Sequence, residues 1–195
     1  LRFKSTRGRG GVVENIYISD IYMKDIPTNA ISFNLYYGGL SVSEMLEAGS
    51  DDKTKIEIPE ISEETPQFKD ITIKNVTVKG AHQAIYLQGL PEMNLENVLL
   101  ENFNMEANNG LLCMDANGIT ITNLNLKTSK FPALSFYNSK NVSIEGLELS
   151  SSDQVLIAVD GSKTENVTIN LDNEKIGENT ILLGDEVRAE AVKVN

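Results

Sequence analysis

The chain has 195 residues, with 28 acidic and 17 basic side chains, a formal net charge of −11, one histidine and one cysteine. This length suits a single domain, and 41% hydrophobic against 23% charged residues is the balance of a folded chain. The acidity argues against nucleic acid or an anionic membrane surface as partners. No apolar run approaches the ~18 residues of a membrane span, and Cys113 has no second cysteine for an internal disulfide.

The basic residues are unevenly spread. Arg2, Lys4, Arg7 and Arg9 place four of the 17 in the first nine positions. An acidic protein that gathers cations in one place can hold an anionic ligand there. Arg2 and Lys4 are two apart, so extended backbone sends both side chains to one face. Together they offer a bidentate fork and a point charge. In Gly8-Arg9-Gly10-Gly11 the third glycine of a dinucleotide fingerprint is replaced by Val13, so that function is set aside.

Residues 15–23, Asn-Ile-Tyr-Ile-Ser-Asp-Ile-Tyr-Met, open a degenerate repeat: Asn, Asp or Gly, then alternating apolar residues. The pattern returns at 70–78, 97–105, 118–126, 141–149 and 166–171, with first residues 55, 27, 21, 23 and 25 positions apart. A second series keeps step with it at 30–37, 84–89, 110–115, 133–138, 155–159 and 180–184, at intervals of 54, 26, 23, 22 and 25. Alternation of period two predicts strands with one buried face. Each repeat thus carries at least two strands and no convincing helix. A period of roughly 21–27 residues is that of a solenoid. About 24 residues is short for a four-stranded propeller blade and fits one coil of a parallel β-helix. Crossover handedness and strand twist predict a right-handed coil. About six to seven coils at ~4.8 Å each would span roughly 30–35 Å. The expectation is therefore one all-β domain over 1–195, a right-handed parallel β-helix with one long acidic insertion at about 38–67.

That insertion accounts for the 55-residue first interval. It carries Glu44, Glu47, Asp51, Asp52, Glu57, Glu60, Glu63 and Glu64, and its sole strand-like stretch is 55–58. Long insertions of solenoids often border the binding face, although a solvated loop fits equally well. The Asn, Asp and Gly residues that head the strands tolerate left-handed backbone and can ladder from coil to coil. Asn75, Asn141 and Asn166 also match the N-glycosylation pattern, but their place in the repeat gives them a structural role. Cys113, within a strand, reads as a packing residue, and His82 as a turn or surface residue. The sequence has no zinc cluster and no calcium-loop spacing, so neither metal nor cofactor is expected.

The stretch from Arg2-Phe-Lys4 through Gly8-Arg-Gly10-Gly11 to Asn15-Ile16 resembles the Arg-x-Lys motif of the polygalacturonases, glycoside hydrolase family 28, with that family's Gly-rich turn and Asn-Ile strand. Gly89-Leu-Pro-Glu92 is similar to a turn common in its bacterial and plant members. Tyr37, 33 residues after Lys4, resembles the family's substrate-contacting tyrosine. The resemblance covers nearly the whole chain and implies a parallel β-helix. It also implies a galacturonate-containing pectin substrate, with Arg2, Lys4 and Tyr37 as substrate-binding residues. Hydrolysis in the family inverts the anomeric centre, using carboxylates about 6.5–9.5 Å apart. Its Asn-Thr-Asp, Asp-Asp and Gly-His-Gly motifs lie upstream of Arg-x-Lys, and this sequence contains none of them there. Asp51-Asp52 lies on the wrong side of the motif. The reading that follows is the C-terminal part of a pectin-degrading hydrolase, inactive alone, with a secreted or periplasmic location inferred from its substrate. A non-catalytic glycan-binding or adhesin-like β-helix is the alternative. A lyase ranks lower, for want of calcium ligands. An exposed first coil would favour end-to-end association.

Overall fold

A computed structural model describes residues 1–36, 58–149, 155–171 and 181–195. Its strands are β1 (Arg2–Lys4), β2 (Val12–Val13), β3 (Ile16–Asn34), β4 (Gln67–Gln88), β5 (Leu95–Ala107), β6 (Asn109–Met114) and β7 (Ala116–Thr128). They continue with β8 (Leu134–Tyr137), β9 (Lys140–Leu149), β10 (Ile157–Asp160), β11 (Glu165–Leu171), β12 (Ile181–Leu183) and β13 (Val192–Val194). Among the described residues the only helical element is a 3₁₀ turn at Ala189–Ala191. No helix there is long and apolar enough to cross a membrane.

Every pairing among the described residues is parallel; β2 lies against the start of β4, and the other strands stack in two columns. The first runs β3–β4–β5–β7–β9–β11–β13. The second runs from β1 through the ends of β3 and β4 to β6, β8, β10 and β12. This is the parallel β-helix that the repeat predicts. Its core includes two stripes of inward side chains in register. Ile18, Ile73, Leu100, Ile121, Ile144, Ile169 and Val194 form one. Phe3, Phe33, Leu87, Cys113, Phe136 and Val159 form the other, with exposed Leu183 in register on the last rung. The middle members of both stripes are essentially inaccessible to water. Burial of such side chains, worth roughly 1.5–3 kcal/mol each, holds coil on coil.

One expectation needs correction. A nine-residue segment is not one flat strand with one buried face. Its inward residues are Ile71 and Ile73, then Val76 and Val78. The step from 73 to 76 is three, so the period-two phase resets at Asn75. Asn75 lies in the left-handed region at φ +55°, as do Asp20 (+62°), Asn102 (+60°), Asn123 (+56°) and Gly146 (+65°) at equivalent places in their coils. A single left-handed residue turns the chain through a corner without breaking the ladder, and Asn, Asp and Gly occupy that region at least cost. The strand heads Asn15, Asp70, Asn97, Asn141 and Asn166 make a second row of left-handed corners.

The expected asparagine ladders are present at these corners. Asn75 Nδ2 donates to Asp20 Oδ1 (2.9 Å), Asn102 to Asn75 (3.1 Å) and Asn123 to Asn102 (2.9 Å). Asn97 donates to Asp70 (3.0 Å), Asn141 to Asn117 (2.8 Å) and Asn166 to Asn141 (2.9 Å). Each of these amides donates to the coil before its own. An Asp can only accept, and Asp20 and Asp70 stand at the amino-terminal end of their runs. Where the next corner comes closest, the residue is glycine: a Cβ on Gly146 would lie 2.7 Å from Asn123 Oδ1.

The second part of the insertion is described and the first is not. Thr65 N–H donates to Ser62 O (3.0 Å) in a turn just before β4. The candidate strand at 55–58 falls outside the described residues except for Ile58, which is exposed and in no strand. Glu64 O then accepts both Gly8 N–H and Gly10 N–H at 3.0 Å, which seats the glycine turn on the end of the insertion.

Candidate functional site

Arg2 and Lys4 are carried by β1, the first rung of the second column. Phe3 between them points inward and stacks on Phe33, with ring centroids 4.3 Å apart and planes 4° from parallel. It also meets the edge of Phe68 at 6.3 Å. This aromatic anchor fixes the strand, and alternation leaves Arg2 and Lys4 together on the exposed outer face. Arg2 sits over Ser32 and Lys4 over Asn34. One rung further, the register places half-buried Tyr86 and fully buried Gln88, where the Tyr86 hydroxyl donates to Gln88 Oε1. Asn34 turns its Oδ1 back to accept Tyr36 N–H (2.7 Å). The face is thus cationic at its edge and hydrogen-bonding behind. The third expected ligand residue, Tyr37, lies outside the described residues.

Where the second-column strands end, the structure joins two motifs that the sequence keeps 85 residues apart. Arg7, beside the glycine turn, donates to both Glu92 oxygens at 2.6 and 2.8 Å. Glu92 belongs to the Gly89-Leu-Pro-Glu92 turn, and its side chain is only 4% exposed. The guanidinium also lies over the Tyr36 ring, 4.9 Å from its centroid. The bond to Glu92 raises the Arg7 pKa further above its ordinary range, and burial pushes the Tyr36 hydroxyl up to about 12. The sequence marks Arg7 as one of four clustered cations and Glu92 as part of a turn. Neither mark shows that they pair, because the pairing depends on the insertion returning the chain one coil lower.

Next to this clamp lies Asp115, which sequence reasoning passes over. It follows the last residue of β6, takes φ +47°, and is 1% exposed. Neither carboxylate oxygen has a hydrogen-bond partner among the described residues, nor do Gln88 Nε2 and the Tyr36 hydroxyl. Burial is the main reason the Asp115 carboxyl is pushed up to about 7. Lys163 and the nearby Asn138 amide partly oppose the rise. The available sign in the sequence was an Asp closing the second-series segment at 110–115.

Other candidates resolve to structural roles. Cys113 is fully buried, and burial pushes its thiol up to about 12, so it is not poised as a nucleophile. Ser139 Oγ donates to its Sγ at 3.5 Å. His82 is exposed, with its Nε2 3.4 Å from Asn109 Nδ2. The amides of Asn75, Asn141 and Asn166 are engaged in the ladders. The described residues hold no group of three His, Cys, Asp or Glu side chains arranged for a metal. Compared with known proteins, the chain matches no family model, no curated protein and no solved structure.

Proposed function

We propose that the outer face bearing Arg2 and Lys4 binds the carboxylates of a galacturonate-containing polysaccharide, as in the polygalacturonase-like proteins that the opening motif resembles. The observation that carries this reading is the pair of cations held side by side on one exposed strand face by the buried Phe3 ring. An extended polyuronate repeats a carboxylate at every sugar. A rigid rung that offers a guanidinium fork and an ammonium can take such a group with charge-assisted bonds. The adjoining half-buried Asn34 amide and Tyr86 hydroxyl suit sugar hydroxyls. In an acidic protein this local charge also selects for register, because polyanion placed elsewhere on the surface is repelled.

The reaction class that goes with the resemblance is inverting hydrolysis, which needs paired carboxylates and a water between them. Glu92 is bound by Arg7, and Asp115 is buried, so neither serves. This chain is therefore assigned substrate binding, and no turnover of its own. The alternative is a β-helix that binds glycan without catalysis anywhere in its protein. It is favoured by the same exposed cation pair, which needs no carboxylates beside it to hold a polyanion. A pectin-degrading parent is favoured by the Arg-x-Lys and glycine-turn spacing.

The test is calorimetric titration with oligogalacturonate and with its methyl ester. The free acid should bind and the ester should not. Lys4→Ala should weaken binding by roughly 1–3 kcal/mol, the worth of one charge-assisted bond. That loss is about 5- to 150-fold in Kd. Equal affinity for acid and ester, or no change in Lys4→Ala, refutes the assignment. Release of new reducing ends by the chain alone refutes the absence of turnover.

A further inference from the structure

Asp115 is the one carboxyl group among the described residues that is buried with both oxygens unpartnered. Its backbone lies directly beneath the turn that carries Glu92. Gly89 N–H donates to Met114 O (3.0 Å) and Leu95 N–H to Asp115 O (3.1 Å), so the ends of that turn are pinned to the residues at this corner. Space is tight: a Cβ on Gly89 would lie 2.1 Å from Asp115 O. Close to the carboxyl the Asn138 amide and the Lys163 charge favour the anion, but burial outweighs them. The titratable groups whose fields reach the carboxyl are Lys163 and Arg7, which favour its ionisation, and Glu92, which opposes it. Tyr36, Tyr137 and Cys113 are neutral neighbours whose own ionisation it opposes. Lys163 is exposed, and Arg7 is already bound by Glu92 through two bonds.

We propose that Asp115 is a proton-controlled latch on the turn at residues 89–95: with its carboxyl neutral the corner closes over it, and release of that proton on opening makes the open form steadily more favoured as pH rises. The sign follows from linkage. The closed form holds its proton to about pH 7, whereas a solvated Asp loses it near ~4. Between these values closing takes up a proton, so the closed form is lost as pH rises and levels off above the upper value. The turn that opens is the one whose Glu92 clamps Arg7, three residues from Lys4. Proton release therefore loosens the anchor of the amino-terminal segment.

Hydrogen exchange of the Gly89 and Leu95 amides in the 195-residue chain tests this, with rates divided by the intrinsic rate at each pH. The opening constant should rise about tenfold per pH unit between roughly pH 5 and 6.5, the slope for one proton. In Asp115→Asn, which keeps shape and left-handed backbone, the slope should vanish. The same slope in Asp115→Asn overturns the proposal. So does a carbon-13 titration of the wild-type protein in which the Asp115 carboxyl titrates in the ordinary carboxylate range, a measurement that needs no variant to fold.

Discussion

Coil-to-coil stacking is most sharply tested at Gly110, the second residue of β6. A Cβ built there would lie 1.9 Å from the Ala133 carbonyl oxygen, 2.9 Å from its carbon and 3.2 Å from Leu126 Cδ2. The obstruction is backbone of the next coil, which cannot rotate away as a flexible side chain would. It is also a bonded group: Ala133 O accepts Leu111 N–H at 2.9 Å. Gly110→Ala therefore has to push two coils apart by more than an ångström at a buried point and sever or stretch that bond. Overpacking costs roughly 1–3 kcal/mol, and a buried donor left unpaired another ~1–3 kcal/mol. About 4 kcal/mol in total would lower Tm by roughly 8–16 °C in a chain of this length. Far-ultraviolet circular dichroism and tyrosine fluorescence report the melt, since the chain has no tryptophan. Gly8→Ala separates sterics from conformation. Gly8 sits at φ +87° with nothing within 4 Å of a built Cβ, so only the backbone penalty of ~1–2 kcal/mol applies. If Gly110→Ala melts within about 2 °C of the parent, well short of the expected shift, or loses less than Gly8→Ala, the steric reasoning is wrong.

The remaining predictions concern the ladder and the core. Asn102 donates to Asn75 and accepts from Asn123 at φ +60°. Asn102→Ala should cost about 2–3 kcal/mol by urea denaturation, combining ~1–2 for the left-handed backbone with two exposed bonds worth less than ~1 each. Asn102→Gly should recover the backbone part, and equal losses in the two variants would show that the lost bonds outweigh the backbone conformation. Cys113 should be inert to a thiol reagent in native buffer, because it is fully buried with a thiol pushed up to about 12. It should react fully in denaturant, and stoichiometric labelling of the native chain within minutes would contradict the burial.

The lone cysteine was legible early for a simple reason: it stands at a fixed phase of the repeat, and phase decides burial in a stacked solenoid. Arg2 and Lys4 were legible as a pair because two residues of extended chain always share a face. The left-handed corners were written in the sequence too, as a three-residue step between Ile73 and Val76 that period two does not allow. The eye follows the alternation and passes over the slip.

The amino-acid sequence by itself determined the architecture, because a solenoid is built from nearest-neighbour contacts that recur every coil. The alternating apolar residues, the Asn and Asp corners and the repeat length need no long-range information. What only the tertiary structure decided is which unlike segments meet at the end of the second column. Arg7 finds Glu92 85 residues on, and the 55-residue first interval hides their proximity. Asp115 is buried where the ends of the turn at 89–95 are pinned to the backbone of its corner. Such a meeting depends on where an irregular turn and an insertion rejoin the coil, and no local periodicity encodes that.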